Sequence, residues 1–167
     1  MAESTDWSQF VLRIAIRASR QQLYNAWATR QGMESWFLRL CAYAHPDGQL
    51  LEDDEPAVTG DRYTFRWHGW PDETTEYGEI LQANGHDNFQ FSFGKAGICT
   101  VSILMAGDLQ VVELEQSAIP DDDAGKMHWH VGCKTGWTFY LANLKSMFEG
   151  GIDLRNRDEN LQNVLNS

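Results

Sequence analysis

From Gly60 to Gln116 the chain reads as one β-strand after another, and the segments on either side read as helices marked by tryptophan. Tyr63, Phe65 and Trp67 alternate with Arg62, Thr64 and Arg66. A period of two puts three aromatic rings on one face of a strand. Glu76 to Ala83 reads as the next strand, closed by the Asn84-Gly85 turn signal of a hairpin. Phe89, Phe91 and Phe93 share a face, as do Val101, Ile103 and Met105, and then Val112, Leu114 and Gln116. Gly94 to Gly97 and Gly107-Asp108 supply the turns between them. Strands joined by short turns form an antiparallel meander. A sheet with so aromatic a face must bury it against something long and apolar.

The flanks supply that partner. Gln9 to Arg17 forms a first strand, with Phe10, Leu12, Ile14 and Ile16 on one face and Arg13 and Arg17 on the other. Ser19 with Gln22 three residues later predicts a capping box, opening a short helix with Leu23, Tyr24, Ala26 and Trp27 as its apolar stripe. Thr29 predicts the cap of a second, with Met33, Trp36 and Phe37 as its apolar side. Beyond the meander, Val131 to Glu149 predicts the long helix. Its residues Trp137, Leu141, Leu144 and Phe148 follow i, i+4, i+7, i+11, widened by Tyr140 and Met147, with Cys133 one turn earlier. Gly150-Gly151 predicts its C-cap. The fold class is α+β: a strongly curved antiparallel sheet of six or seven strands wrapped round a long C-terminal helix, with two short helices after the first strand. Residues 1–167 are expected to form a single domain with its core over 8–150. The polar tail 152–167 is tied down, on this reading, by Leu154, Leu161, Val164 and Leu165.

Composition narrows the function. The formal charge is −11, from 24 acidic residues against 13 Lys and Arg. Phosphate backbones and anionic lipid surfaces would repel such a chain, which argues against nucleic-acid binding. An acidic surface serves solubility, or docks on a basic partner. Cys41, Cys99 and Cys133 are odd in number, widely spaced and without a CxxC pair, so free thiols in a reducing compartment are expected. Met1-Ala2-Glu3-Ser4-Thr5-Asp6 lacks the positive start and apolar stretch of a secretory signal. No apolar run approaches the ~18 residues of a membrane span. A cytoplasmic location is expected.

The order of these elements resembles the START-like superfamily, also called SRPBCC or helix-grip. Within it, the chain is most similar to the family named after the activator of the heat-shock chaperone ATPase. The resemblance rests on the strand Leu12 to Ile16, the helix ending Ala26-Trp27, and Trp36-Phe37. It continues with Gly60, Tyr63, Phe65 and Trp67, and then Gly136-Trp137 with Leu141 and Leu144, covering about residues 8–150. It implies a sheet gripping the C-terminal helix and, between them, a cavity. Members of the superfamily bind lipids, plant hormones or polyketides, or act as cyclases. One eukaryotic branch helps to stimulate the chaperone, with an additional N-terminal domain not expected here.

The candidate cavity lining follows from the inner faces. Trp36 comes from the second short helix, and Tyr63, Phe65, Trp67, Phe91 and Phe93 from the first part of the sheet. Ile103, Leu114 and Gln116 come from its last strands, and Trp137, Tyr140 and Leu141 from the long helix. Such a face can fill solid or leave a hollow. Gln116 falls in phase with Val112 and Leu114, so its amide needs a water, a ligand or a side chain as partner. Trp7, Trp70 and Trp129 fit either a dimer interface or the chain's own surface, leaving monomer and homodimer open.

Catalytic signals are sparse. The H-x-H-x-x-C cluster His128, His130, Cys133 has ligand types suited to zinc, but both histidines precede the predicted helix and no fourth ligand is spaced for it. The acidic loops Glu52 to Glu55 and Asp121 to Asp123 lack calcium-loop spacing. No nucleophile, P-loop or dinucleotide motif occurs. Tyr63, Tyr77, Tyr140 and Gln116 are the inner polar groups nearest to an acid or base. No metal, cofactor or catalytic residue is assigned. The leading expectation is a protein that binds a small apolar or amphipathic molecule. The alternatives are a co-chaperone-like partner of a heat-shock chaperone and, third, a cyclase or hydratase.

Overall fold

The computed structural model describes residues 3–165; the first two and last two residues of the expected single unit lie outside the described residues. The chain runs β1 (Phe10–Ile16), α1 (Arg20–Ala28), α2 (Arg30–Trp36), β2 (Leu40–Ala44), β3 (Arg62–Arg66), β4 (Glu76–Ala83), β5 (Asn88–Ser92), β6 (Ile98–Ala106), β7 (Leu109–Ser117) and α3 (Gly132–Phe148). The strands form one antiparallel sheet in the order β1-β7-β6-β5-β4-β3-β2. Strands β2 to β7 are thus a continuous meander, and β1 returns to the far edge beside β7. A register shift between Ile80 and Gln82 marks where the β2–β4 half turns away from the rest. Bulges of this kind bend a strand and raise its twist.

Local chemistry sets the helix starts. Ser19 and Gln22 form the reciprocal capping box on α1. Thr29 ends α1 and starts α2 with one hydroxyl, which donates to Asn25 O at 2.7 Å and accepts from Gly32 N at 2.9 Å. At the end of α3, Gly150 takes φ +78°, and Gly151 N donates back to Ser146 O at 2.8 Å. That closure requires a left-handed residue, which glycine adopts without a Cβ penalty.

The core is aromatic. Trp27 and Trp36 are fully buried with ring centroids 4.6 Å apart, and Trp27 lies 5.7 Å from Trp137 on α3. Trp36 Nε1 donates to Ala26 O, fixing α2 on α1. Tyr43 on β2 donates to Trp27 O at 2.7 Å.

Several expectations are corrected. The strand β2 was not expected; its buried Cys41 and Tyr43 alternate with the small Ala42 and Ala44, a pattern without the usual β-branched residues. The long helix begins earlier than Val131: Gly125–Val131 form a π-helical segment running directly into α3. His128 and His130 therefore stand on the helix, not before it. Met105 does not join Val101 and Ile103 inside. It is 73% exposed, because β6 runs past the helix into the hairpin tip. The Asn84-Gly85 turn is longer than a two-residue hairpin, with Asn84 Oδ1 accepting from the amides of His86, Asp87 and Asn88.

The tail is also held differently. Leu161, Val164 and Leu165 are exposed. The anchor is Arg155, whose guanidinium is buried and donates to Leu38 O, Glu34 O and Ser35 O at 3.0–3.1 Å while pairing with Asp153 at 2.8 Å. Asn143 on α3 completes the clamp by donating to Trp36 O and to Asp153 Oδ1 and accepting from Leu154 N.

Candidate functional site

At one end of the sheet the aromatic packing opens into a cavity of about 290 Å³. The ends of three elements wall it: Phe37 after α2, Trp67 after β3 and Phe93 after β5. Trp70 and Thr74 come from the β3–β4 loop, and Cys133, Trp137 and Tyr140 from α3. The helix face is cut back by Gly132 and Gly136, one turn apart on the same side. A Cβ on Gly136 would meet nothing within 4 Å. The hollow is space that the helix declines to fill.

The rings are set against one another. Phe37 stacks on Trp137 with centroids 4.8 Å apart and meets Tyr140 edge-on at 4.9 Å. Trp67 meets Phe37 edge-on at 5.8 Å, and Phe93 lies 5.8 Å from Trp137. Gln116 Oε1 accepts from Trp137 Nε1 at 2.9 Å and so fixes that indole. The polar side chains of the wall include Thr74, Cys133 and Tyr140, of which Tyr140 is the most deeply set. It is buried to 8% exposure, and its hydroxyl has no hydrogen-bond partner among the described residues. Burial pushes that hydroxyl's pKa up to about 12. The Cys133 thiol is likewise raised by burial. Neither group is a base near neutral pH.

Of the lining residues expected from sequence, the structure brings Trp67, Phe93, Trp137 and Tyr140 together around this cavity. The others lie in the packed core behind it. Tyr63 stacks on Phe65 at 3.8 Å and donates to Ser92 O. Trp36, Phe91, Ile103, Leu114 and Leu141 are buried in the same cluster. Gln116 is wholly buried, and its amide is saturated: Nε2 donates to Ala96 O at 3.0 Å while Oε1 takes the Trp137 bond. Sequence reasoning missed Phe37, Trp70, Thr74, Cys133 and the two glycines as wall residues. Trp70 stands in a polar turn outside any periodic pattern and stays 53% exposed, so no alternation or helical stripe could place it.

A second, more polar cavity of about 520 Å³ adjoins the first, and Trp70 walls both. Arg39, His68, Asp72, Arg157 and Glu159 line it, with the tail as one side. Arg39 Nε donates to Trp67 O at 3.3 Å, and its Nη2 bonds Asp72 at 2.6 Å. That bond, with the charge of Arg66, holds the Asp72 carboxyl below the usual range. Arg157 pairs with Asp153 at 2.6 Å. Burial, then the guanidiniums of Arg155, Arg157 and Arg39, push the His68 pKa down.

Elsewhere, His130 Nδ1 lies 2.9 Å from Trp7 O, and its ring sits edge-on to Trp7 and Phe10, a packed position. Among the described residues no three His, Cys, Asp or Glu side chains gather to hold a metal ion. All three cysteines are free thiols. No helix of the described residues is long and apolar enough to cross a membrane.

The family model described as "Activator of Hsp90 ATPase homolog 1-like protein" matches residues 17–149. Similar solved structures include the Aha1 dimer from Colwellia psychrerythraea, with a TM-score of 0.65 and 17% identity over 86% of this chain and 97% of that one. Protein SSP2350 from Staphylococcus saprophyticus matches with a TM-score of 0.65 and 17% identity over 88% and 96%. Protein MLL2253 from Mesorhizobium loti matches with a TM-score of 0.64 and 16% identity over 85% and 97%. No curated protein gives a significant match to the sequence. At these identities the structures speak for the fold, and the family match, which spans most of the sheet and α3, speaks for descent: the chain belongs to the activator of Hsp90 ATPase homolog 1-like family and carries its START-like, helix-grip fold.

Proposed function

We propose that this protein binds a small apolar or amphipathic molecule in the cavity between Trp67, Phe93 and α3. One observation carries the reading. The helix presents Gly132 and Gly136 where the rest of its face is Trp, Tyr and Leu, and the space so left is walled mostly by aromatic rings, with the hydroxyls of Tyr140 and Thr74 among them. Ligand sites are concave and mostly apolar, with few polar groups to set orientation. The three free thiols suit a reducing, cytoplasmic setting. Gently purified protein, weighed by native mass spectrometry and again after denaturation, tests the proposal. A discrete mass that leaves on unfolding is expected, and the spectrum also reports monomer or dimer. A bare mass, with no uptake of added apolar probes, would remove it.

A second reading is favoured by the family itself and by the charge of −11: a co-chaperone-like role on a heat-shock chaperone. It predicts stimulation of the cognate chaperone's ATPase that weakens as salt screens the contact. A cyclase or hydratase role is less favoured, since Tyr140 and Cys133 both stay protonated near neutral pH.

A further inference from the structure

We infer that the ligand of the apolar cavity carries an anionic end group, a carboxylate or its equivalent, received by Arg39 and Arg157 on the far side of Trp70. The inference rests on the cavity being the binding site proposed above.

Two cavities meet at one indole, and their chemistries are opposite. The first is walled by rings. The second holds two guanidiniums and an imidazole. The chain has only 13 Lys and Arg against 24 acidic residues, yet Arg39, Arg66, Arg155 and Arg157 all bear on this one place. Arg39 is tied to the wall of the first cavity through its bond to Trp67 O, so its charge stands at the mouth of the apolar space. A molecule lying along Trp70 with its apolar body among the rings would bring its end group to this guanidinium.

The carboxylates already present leave room for one more. Asp72 serves both Arg39 and Arg66 and has a 63% exposed side chain. Exposed ion pairs contribute little, so replacing Asp72 on Arg39 by a ligand oxyanion costs little. Arg157 is 60% exposed and meets Asp153 through one nitrogen, while Asp153 is also shared with the buried Arg155. A guanidinium offers five N–H donors in a fork that fits a carboxylate. His68, whose pKa is lowered by burial first and then by these guanidiniums, in its neutral form keeps one N–H to donate beside them. A cationic end group would meet the carboxylates of Asp72 and Glu159, of which Asp72 is already engaged by Arg39 and Arg66, and it would stand beside the guanidiniums of Arg39 and Arg157.

Three probes of equal chain length separate the possibilities: decanoate, decan-1-ol and decylammonium, titrated below their aggregation limits and followed by tryptophan fluorescence at fixed ionic strength. Decanoate should bind about tenfold more tightly than decan-1-ol. Arg39→Gln and Arg157→Gln should each reduce that preference severalfold, read as the ratio of decanoate to decan-1-ol affinity within the same variant. Arg157 is the more exposed of the two, at 60% against 31% for Arg39, and a ratio taken within one variant cancels any change that the lost bond to Trp67 O makes in the wall. Equal affinity for acid and alcohol, or tighter binding of decylammonium, would overturn the anionic end group while leaving the cavity reading standing. A preference for decanoate that both variants retain would overturn the assignment to these arginines. Failure of all three probes to bind would overturn the cavity reading itself, and this inference with it.

Discussion

Trp137 Nε1 donates to Gln116 Oε1 at 2.9 Å, so the helix that walls the cavity is bonded side chain to side chain to the last strand of the sheet. Both residues are buried. The Gln116 amide is also held by Ala96 O, which locks its orientation and, through it, the plane of the indole. A polar pair deep in an aromatic core therefore sets the cavity's shape.

Gln116→Leu keeps the volume but leaves the Trp137 N–H and the Ala96 carbonyl without partners. Burying unsatisfied groups makes such a change expensive, and a loss of about 2–4 kcal/mol is expected. Trp137→Phe removes the donor and leaves the amide oxygen only the Cys99 thiol, at 3.7 Å. If the bond matters, the double variant loses clearly less than the sum of the two single ones. Urea unfolding of the four proteins measures this cycle. Strict additivity would show the bond to be idle.

The Arg155 clamp predicts a different failure. Arg155→Met fills the space but takes the buried cation from Asp153, leaving it the exposed Arg157 and the Asn143 amide, and removes the donors to Glu34, Ser35 and Leu38. Breaking a buried ion pair costs about 3–5 kcal/mol. Because the lost contacts join the tail to α2, residues 152–165 should become the first site of limited proteolysis, with cleavage there preceding loss of far-UV dichroism. Burial raises the Asp153 carboxyl, but its bonds to Arg155 and Arg157 outweigh this and hold it well below the usual range. The clamp therefore contributes fully above about pH 4 and fades as the pH falls through the lowered folded value. Acid should release the tail before the sheet unfolds.

How much of this was legible follows from the range of each signal. Period-two alternation is local, so β3 to β7 and the aromatic inner face could be read from residues such as Phe89, Phe91 and Phe93. The capping box at Ser19 and Gln22 is likewise contained in four letters. Strand β2 was not legible, because Cys41 and Tyr43 between alanines carry little β signal and its partner β3 lies beyond a long loop. The Arg155 clamp joins residues more than a hundred positions apart, and nothing local separates Arg155 from Arg157. The cavity wall was legible only in part, for a related reason. Pattern shows which side chains point inward, but it does not show where opposing surfaces fail to meet. That gap is set by two helix glycines facing a loop tryptophan.

His45 supplies a pH response of opposite sign. Its Nδ1 lies 2.9 Å from the buried Asp61 carboxylate, with Glu55 near the other nitrogen. The bond to Asp61 raises the imidazole pKa against the small opposing effect of burial. His45 thus binds a proton more readily in the fold than in the unfolded chain. Its contribution is complete below about pH 6.5 and is lost as the pH rises through the raised folded value. Melting temperature followed across that window should fall for the native protein and stay flatter for His45→Gln. Parallel curves would remove His45 from the account.

Gly136 offers the sharpest separation of binding from folding. It stands mid-helix, where glycine is disfavoured by about 1 kcal/mol against a good helix former. Its missing side chain faces empty cavity. Gly136→Leu should leave the melting temperature unchanged or raise it, since the new side chain gains helix propensity and apolar burial together. It should also occupy the space a ligand needs and lower the affinity for apolar probes at least tenfold. Cys133, on the same wall, gives an independent readout. Burial holds its thiol protonated, so alkylation at neutral pH should be slow and should quicken as the pH rises. In the native protein a bound probe should protect Cys133 from alkylation, while in Gly136→Leu the rate should be slow with or without probe. A destabilised variant, or one that still binds with full affinity, would mean that the gap beside the helix is not where the molecule lies.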